Sequence, residues 1–126
     1  MNSFKNVGLL ITHYNRTKSL EQLLKSLKSQ EFEFGEIVVS DDGSKPEHID
    51  KLKALQEIYS LKLALAPVNS GLGNNINKGQ LEITTPYTLY LQEDFVPKAL
   101  FAEKLAKAVS FMELRAELDM VRLCVL

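Results

Sequence analysis

At 126 residues the chain is long enough for one domain with a real core, and 45% apolar with 25% charged residues is ordinary for a globular protein. A net charge of −1 gives no basic field for nucleic acid, and no apolar run nears the roughly 20 residues of a membrane span. The one cysteine, Cys124, cannot form an internal disulfide, and Met1-Asn2-Ser3-Phe4-Lys5 lacks a signal peptide's apolar core, so a cytoplasmic setting is expected.

Val7 to Ile11 is a continuous apolar run, the pattern of a strand covered on both faces. Leu20, Leu23, Leu24 and Leu27 follow at helical spacing. Ile37 to Val39 predicts a second buried strand. Ser44-Lys45-Pro46-Glu47 reads as a capping box with proline in the first turn, opening a helix whose apolar face is Ile49, Leu52 and Leu55. Leu61, Leu63 and Leu65 alternate with Lys62 and Ala64, which predicts a third strand near an edge. Asn69 to Gly79 reads as a loop entering a short helix, and Tyr87 to Leu91 as the fourth strand. Pro97 is expected to open a long helix with Phe101, Leu105, Ala108 and Met112 on one face. Met120 to Leu126 is a fifth apolar run with Cys124 as inert core, and because the sequence stops inside it a longer parent protein is expected. Strands alternating with helices imply right-handed crossovers and a mostly parallel, doubly wound α/β sheet with helices on both faces.

Three strands end abruptly in polar or acidic residues: Thr12-His13-Tyr14-Asn15-Arg16, Ser40-Asp41-Asp42-Gly43-Ser44 and Gln92-Glu93-Asp94. In an open parallel sheet, ligands bind outside the carboxyl ends of the strands, so these segments converge on one site. Two of the three bring negative charge, which suggests a divalent cation and, with it, a phosphate-bearing ligand. Thr12, Tyr14, Asn15 and Arg16 can hold a nucleobase by stacking and hydrogen bonds, with Arg16 reaching a phosphate. The same stretch also reads as a helix start capped by Asn15 or Thr17. Asp41 and Asp42 read either as ligands or as acceptors in a capped turn. Gly43 allows a sharp turn, and Ser44 is a cap rather than a nucleophile, since no Gly-x-Ser-x-Gly elbow surrounds it. Asn69-Ser70-Gly71-Leu72-Gly73 lacks both the dinucleotide glycine spacing and a Walker lysine. His13 and His48, without cysteine pairs, do not suggest zinc.

In order, Ile11-Thr12-His13-Tyr14-Asn15-Arg16, Val38-Val39-Ser40-Asp41-Asp42-Gly43-Ser44, Asn69-Ser70-Gly71 with Asn77-Lys78-Gly79, and Leu91-Gln92-Glu93-Asp94-Phe95-Val96-Pro97 resemble family 2 glycosyltransferases. The resemblance implies the GT-A nucleotide-diphospho-sugar fold, with residues 1–126 as one domain forming the N-terminal half of the catalytic domain. It implies inverting transfer from a nucleotide-diphospho-sugar, UDP-sugar by default, to a saccharide, lipid-linked or other hydroxyl acceptor. Thr12 and Tyr14 would line the base pocket, Asp41 would bond the base, and Arg16 and Asn77 would lie near the donor. Asp94 would hold Mn2+ or Mg2+. Gln92 stands where the family's first acid is expected, and Glu93 is the residue that would compensate. The family's later catalytic base is expected beyond Leu126, leaving this chain to bind donor with little transfer, and the full-length protein would sit in the cytoplasm or at a membrane surface. The alternatives are a non-catalytic nucleotide-sugar binding module and a phosphoacceptor receiver domain, although the latter's acidic pair should follow the first strand.

Overall fold

The computed structural model describes residues 1–115, 117 and 120. Past Met120, the expected fifth strand and Cys124 lie outside the described residues. The chain forms two compact units, Met1–Val96 and Pro97–Leu126.

The first unit contains β1 (Asn2–His13), α1 (Thr17–Ser29), β2 (Phe32–Asp41), α2 (Pro46–Tyr59), β3 (Lys62–Ala64), α3 (Leu72–Gln80) and β4 (Tyr87–Gln92). All pairings are parallel, and the strand order is β3-β2-β1-β4. The chain therefore steps outward from β1 to β3, then crosses back to lie beside β1. Right-handed crossovers place the outward helices on one face and the returning helix on the other. Accordingly α1 packs on α2, while α3 lies against β1 and β2. This order also excludes the receiver alternative, in which the third strand lies beside the first rather than the second.

Both faces of the central strands are dry. Val7, Leu9, Leu10, Ile11, Val38 and Val39 are buried, and Leu20, Leu23, Leu24 and Leu27 of α1 close one side. Each such aliphatic side chain contributes about 1.5–3 kcal/mol on leaving water. β1 and β2 run further than the apolar pattern predicts. Phe4 stacks on Phe32 and Phe34 across the extra length, and a register shift between Phe4 and Gly8 separates this ribbon from the main ladder. The polar Lys5-Asn6 step hides that extension in the sequence.

The capping box does not form. Lys45 sits at the N-cap of α2, and the Ser44 hydroxyl bonds Asp41 instead. Neither Asn15 nor Thr17 caps α1, whose N-cap is Arg16.

In the second unit, α4 spans Phe101–Leu114. Pro97 lies ahead of it, because a turn bonding the Phe101 N–H to the Lys98 carbonyl precedes the helix. Phe101 and Leu105 of the expected stripe are buried. Among the described residues no helix is long and apolar enough to cross a membrane.

Gly79 lies where α3 approaches the sheet: a Cβ there would stand 2.4 Å from Leu10 Cδ1 and 2.8 Å from Ser40 Cβ. Gly79→Ala is expected to lower stability by about 1–3 kcal/mol, read as a shift in the urea midpoint. An unchanged midpoint would mean that α3 is not seated on this face.

Candidate nucleotide-sugar site at the strand ends

The register brings the three polar strand ends side by side. His13 pairs with Asp41, and Thr12 pairs with Ser40 on one side and Gln92 on the other. The residues that follow therefore emerge along one rim, at the point where the strand order reverses.

Asp41 anchors the rim from inside. Its side chain is fully buried, and the His13 ring lies 2.8 Å away, Nδ1 to Oδ1. His13 Nε2 accepts the Arg16 N–H at 3.0 Å, so the ring proton sits on Nδ1 and points at Asp41. The Ser44 hydroxyl donates to Oδ1 and the Ser44 N–H to Oδ2. Burial pushes the Asp41 carboxyl up, but the His13 and Ser44 hydrogen bonds outweigh it and leave the group below its ordinary 3.8. Both Asp41 oxygens accept hydrogen bonds from within the protein, and the side chain is not exposed.

Asp42 turns the other way. Its carboxylate accepts the N–H groups of Ser70 at 2.7 Å and Gly71 at 3.1 Å, fixing the glycine-rich loop ahead of α3. Gly43 makes the turn between them at φ 75, where a Cβ would meet the Val68 carbonyl carbon at 2.4 Å.

The β1–α1 turn carries Tyr14, Asn15 and Arg16. The Tyr14 side is exposed, at 43%. Asn15 takes a left-handed φ of 51, and its Oδ1 accepts the Lys45 N–H at 2.9 Å, so it ties this turn to the start of α2. Arg16 reaches Asp94, Nη1 to Oδ2 at 3.3 Å, across an exposed pair. Thr12 is buried beside β4, its Oγ1 2.8 Å from the Tyr90 hydroxyl. Gln92 and Asp94 are exposed at the end of β4, and Glu93 Oε2 accepts the Tyr14 N–H at 2.9 Å.

Asn77 is exposed on α3. The residues of α3 that reach the strand ends are Asn75 and Lys78, to which the sequence pattern assigned no role. Asn75 is buried and exchanges hydrogen bonds with Ser40. Lys78 Nζ lies 2.9 Å from Ser40 Oγ, 2.8 Å from the Asp41 carbonyl and 2.7 Å from the Ala64 carbonyl. Burial pulls its ammonium below the ordinary 10.5, and the charges of Asp41 and Asp42 oppose that pull. The signal was present as spacing: Asn75, Lys78 and Gly79 lie three and four residues apart, on one helical face.

Among the described residues no group of three His, Cys, Asp or Glu side chains could hold a metal. Magnesium and manganese commonly take one or two carboxylates plus phosphate oxygens, so the donor set fits a cation shared with a diphosphate.

The fold is of the GT-A type, as in the solved glycosyltransferases TarS and PcManGT. The chain belongs to glycosyl transferase family 2, whose sequence profile matches residues 9–116. It is 32% identical over 114 residues to the amylovoran biosynthesis glycosyltransferase AmsE of Erwinia amylovora, covering 87% of this chain and 41% of that protein. It is 25% identical over 92 residues to the poly-beta-1,6-N-acetyl-D-glucosamine synthase of Staphylococcus epidermidis, covering 73% of this chain and 22% of that one. The chain thus spans less than half the length of either relative. Among solved structures, S. aureus TarS 1–349 in complex with UDP-GlcNAc is similar with a TM-score of 0.67 and 26% identity, over 86% of this chain and 31% of that one. The fold is also that of the Pyrobaculum calidifontis mannosyltransferase PcManGT, solved with GDP-Man and Mn2+, at a TM-score of 0.69 and 21% identity over 85% of this chain and 32% of that one.

Asp41→Asn is expected to destabilise the protein by about 2 kcal/mol at pH 7, because an amide N–H2 then faces a backbone N–H or the His13 ring. The folded carboxyl titrates below its unfolded value, so its contribution is complete above the ordinary 3.8 and fades as pH falls through the folded value. The gap between wild type and Asp41→Asn in denaturant titrations should therefore close on acidification below about pH 4. A gap independent of pH would contradict the buried carboxylate.

Proposed function

We propose that this chain is the donor-binding part of an inverting glycosyltransferase that takes a nucleotide-diphospho-sugar, UDP-sugar first, together with Mn2+ or Mg2+. The observation that carries the proposal is the shared rim: the exposed Tyr14 ring and the Arg16 guanidinium stand beside Gln92 and Asp94, with Arg16 in contact with Asp94. Tyr14 stacks on the base, and Thr12 closes the pocket floor with Tyr90. Arg16 pairs with the diphosphate, where a guanidinium fork matches phosphate oxygens. Asp94 would hold the cation with its charge, and Gln92, a neutral amide, would hydrogen-bond the ribose or a water. Asn77 is exposed on α3 and would lie near the donor. The bound cation supplies positive charge to the departing diphosphate.

In the transfer, the acceptor oxygen bonds the anomeric carbon as its bond to the diphosphate breaks, and the hydroxyl proton passes to a base. That base lies outside the described residues, and the acceptor is a saccharide, lipid-linked or other hydroxyl. The UDP-GlcNAc complex of the similar S. aureus TarS supports a uridine donor. Gln92, in place of an acid, favours a second reading in which the domain binds nucleotide-sugar without transferring it.

A thermal-shift panel of nucleoside diphosphates, each with and without Mn2+, tests the assignment. Ligand at about 100 times its Kd adds roughly 2.7 kcal/mol, well within range. UDP with Mn2+ is expected to stabilise most, and Asp94→Asn to remove the Mn2+-dependent part of the shift. A Mn2+-dependent shift that survives Asp94→Asn removes Asp94 from the cation.

A further inference from the structure

Three successive backbone N–H groups, those of Tyr14, Asn15 and Arg16, donate to side chains: Glu93 Oε2 at 2.9 Å, Ser44 Oγ at 2.8 Å and His13 Nε2 at 3.0 Å. The turn they form needs holding, because Asn15 at its centre has a left-handed φ of 51. Two of the acceptors, His13 and Ser44, belong to the buried Asp41 cluster on the β1–β2 side. Glu93 grips the turn from the opposite side, at the end of β4, 79 residues away in sequence. A carboxylate accepting a backbone N–H makes a charge-assisted bond, stronger than a neutral one.

We propose that Glu93 is a positioning residue for Tyr14, and that its carboxylate determines how much of the nucleotide affinity comes from the base. This rests on the nucleotide-site reading and deepens it. Stacking is short-ranged, so a platform counts only while its Cα is held. Tyr14 is exposed, and its backbone N–H is the point at which Glu93 holds it. The bond engages Oε2 of Glu93, which leaves the charge of the group directed in part at the Tyr14 amide. The two neighbouring acids therefore divide their work, Asp94 facing the phosphate side and Glu93 facing the base side through Tyr14.

Calorimetric titration of wild type, Glu93→Ala and Glu93→Gln with UDP and with inorganic pyrophosphate, all with Mn2+, separates the roles. Glu93→Ala is expected to weaken UDP about tenfold, the scale of one hydrogen bond to a charged group, with pyrophosphate affinity unchanged. Glu93→Gln keeps an oxygen for the Tyr14 N–H and should stay within about threefold of wild type for both ligands. Unchanged UDP affinity in Glu93→Ala overturns the proposal. So does an equal loss for UDP and pyrophosphate, which would make Glu93 a phosphate or cation ligand. If circular dichroism shows that Glu93→Ala has not folded, Glu93→Gln decides: loss of pyrophosphate affinity with the charge overturns the proposal, and retained UDP affinity supports it. A wild type that binds UDP no better than pyrophosphate overturns the base platform itself, and a wild type that binds neither overturns the site.

Discussion

A carboxylate that water does not reach, that of Asp41, holds the functional end of this domain together. Through His13 it reaches the Arg16 amide, and through Ser44 it reaches the Asn15 amide. Asn15 then closes the loop by accepting the N–H of Lys45 at the start of α2. Taking one partner from such a cluster costs more than the cluster contributes, because a charge is left buried without compensation. The pair also guards the register. His13 and Asp41 are directly opposite in the β1–β2 ladder, and a slip of one residue would send Asp41 to the other face of the sheet.

A second polar layer lies on the α3 face. Lys78 draws together the ends of β2 and β3 by donating to the Asp41 and Ala64 carbonyls, and Asn75 and Ser40 complete the set. Among the described residues no buried side-chain nitrogen or oxygen lacks a partner. Lower on the sheet, Glu36 uses the same chemistry for structure alone. Burial opposes its charge, but Lys62 and the N–H groups of Thr84 and Thr85 bring its pKa down to about 2. Glu36 fastens the segment entering β4 while the Asp41 cluster shapes the opposite end, so the sheet is pinned at both ends by carboxylates and the rim is free to carry exposed groups.

Those exposed groups, Tyr14, Arg16, Gln92 and Asp94, come from segments nearly 80 residues apart in sequence, and each was visible as the polar ending of an apolar strand. The division of labour among the acids was not. Asp41 and Asp42 are neighbours of the same residue type, yet one faces the protein interior and the other the Ser70–Gly71 amides. Glu93 and Asp94 split in the same way between the Tyr14 amide and the Arg16 guanidinium. Successive residues at a strand end point to opposite sides, and which side holds a hydrogen-bond donor depends on elements brought in from elsewhere. Ser44 shows the same limit: its local pattern promised a helix cap, but a buried carboxylate three residues away is the stronger acceptor.

By itself the sequence determined the alternation of strands and helices, the parallel sheet it implies, and the polar strand endings that gather on one rim. Hydrophobic periodicity and crossover handedness are local or nearly local rules, so they can be read along the chain. Only the tertiary structure decided which carboxylates are internal, that His13 is a structural partner, and that Lys78 bridges two strand ends. Those outcomes depend on burial and on donors that are distant in sequence, and pairing energy changes more with desolvation than with residue type.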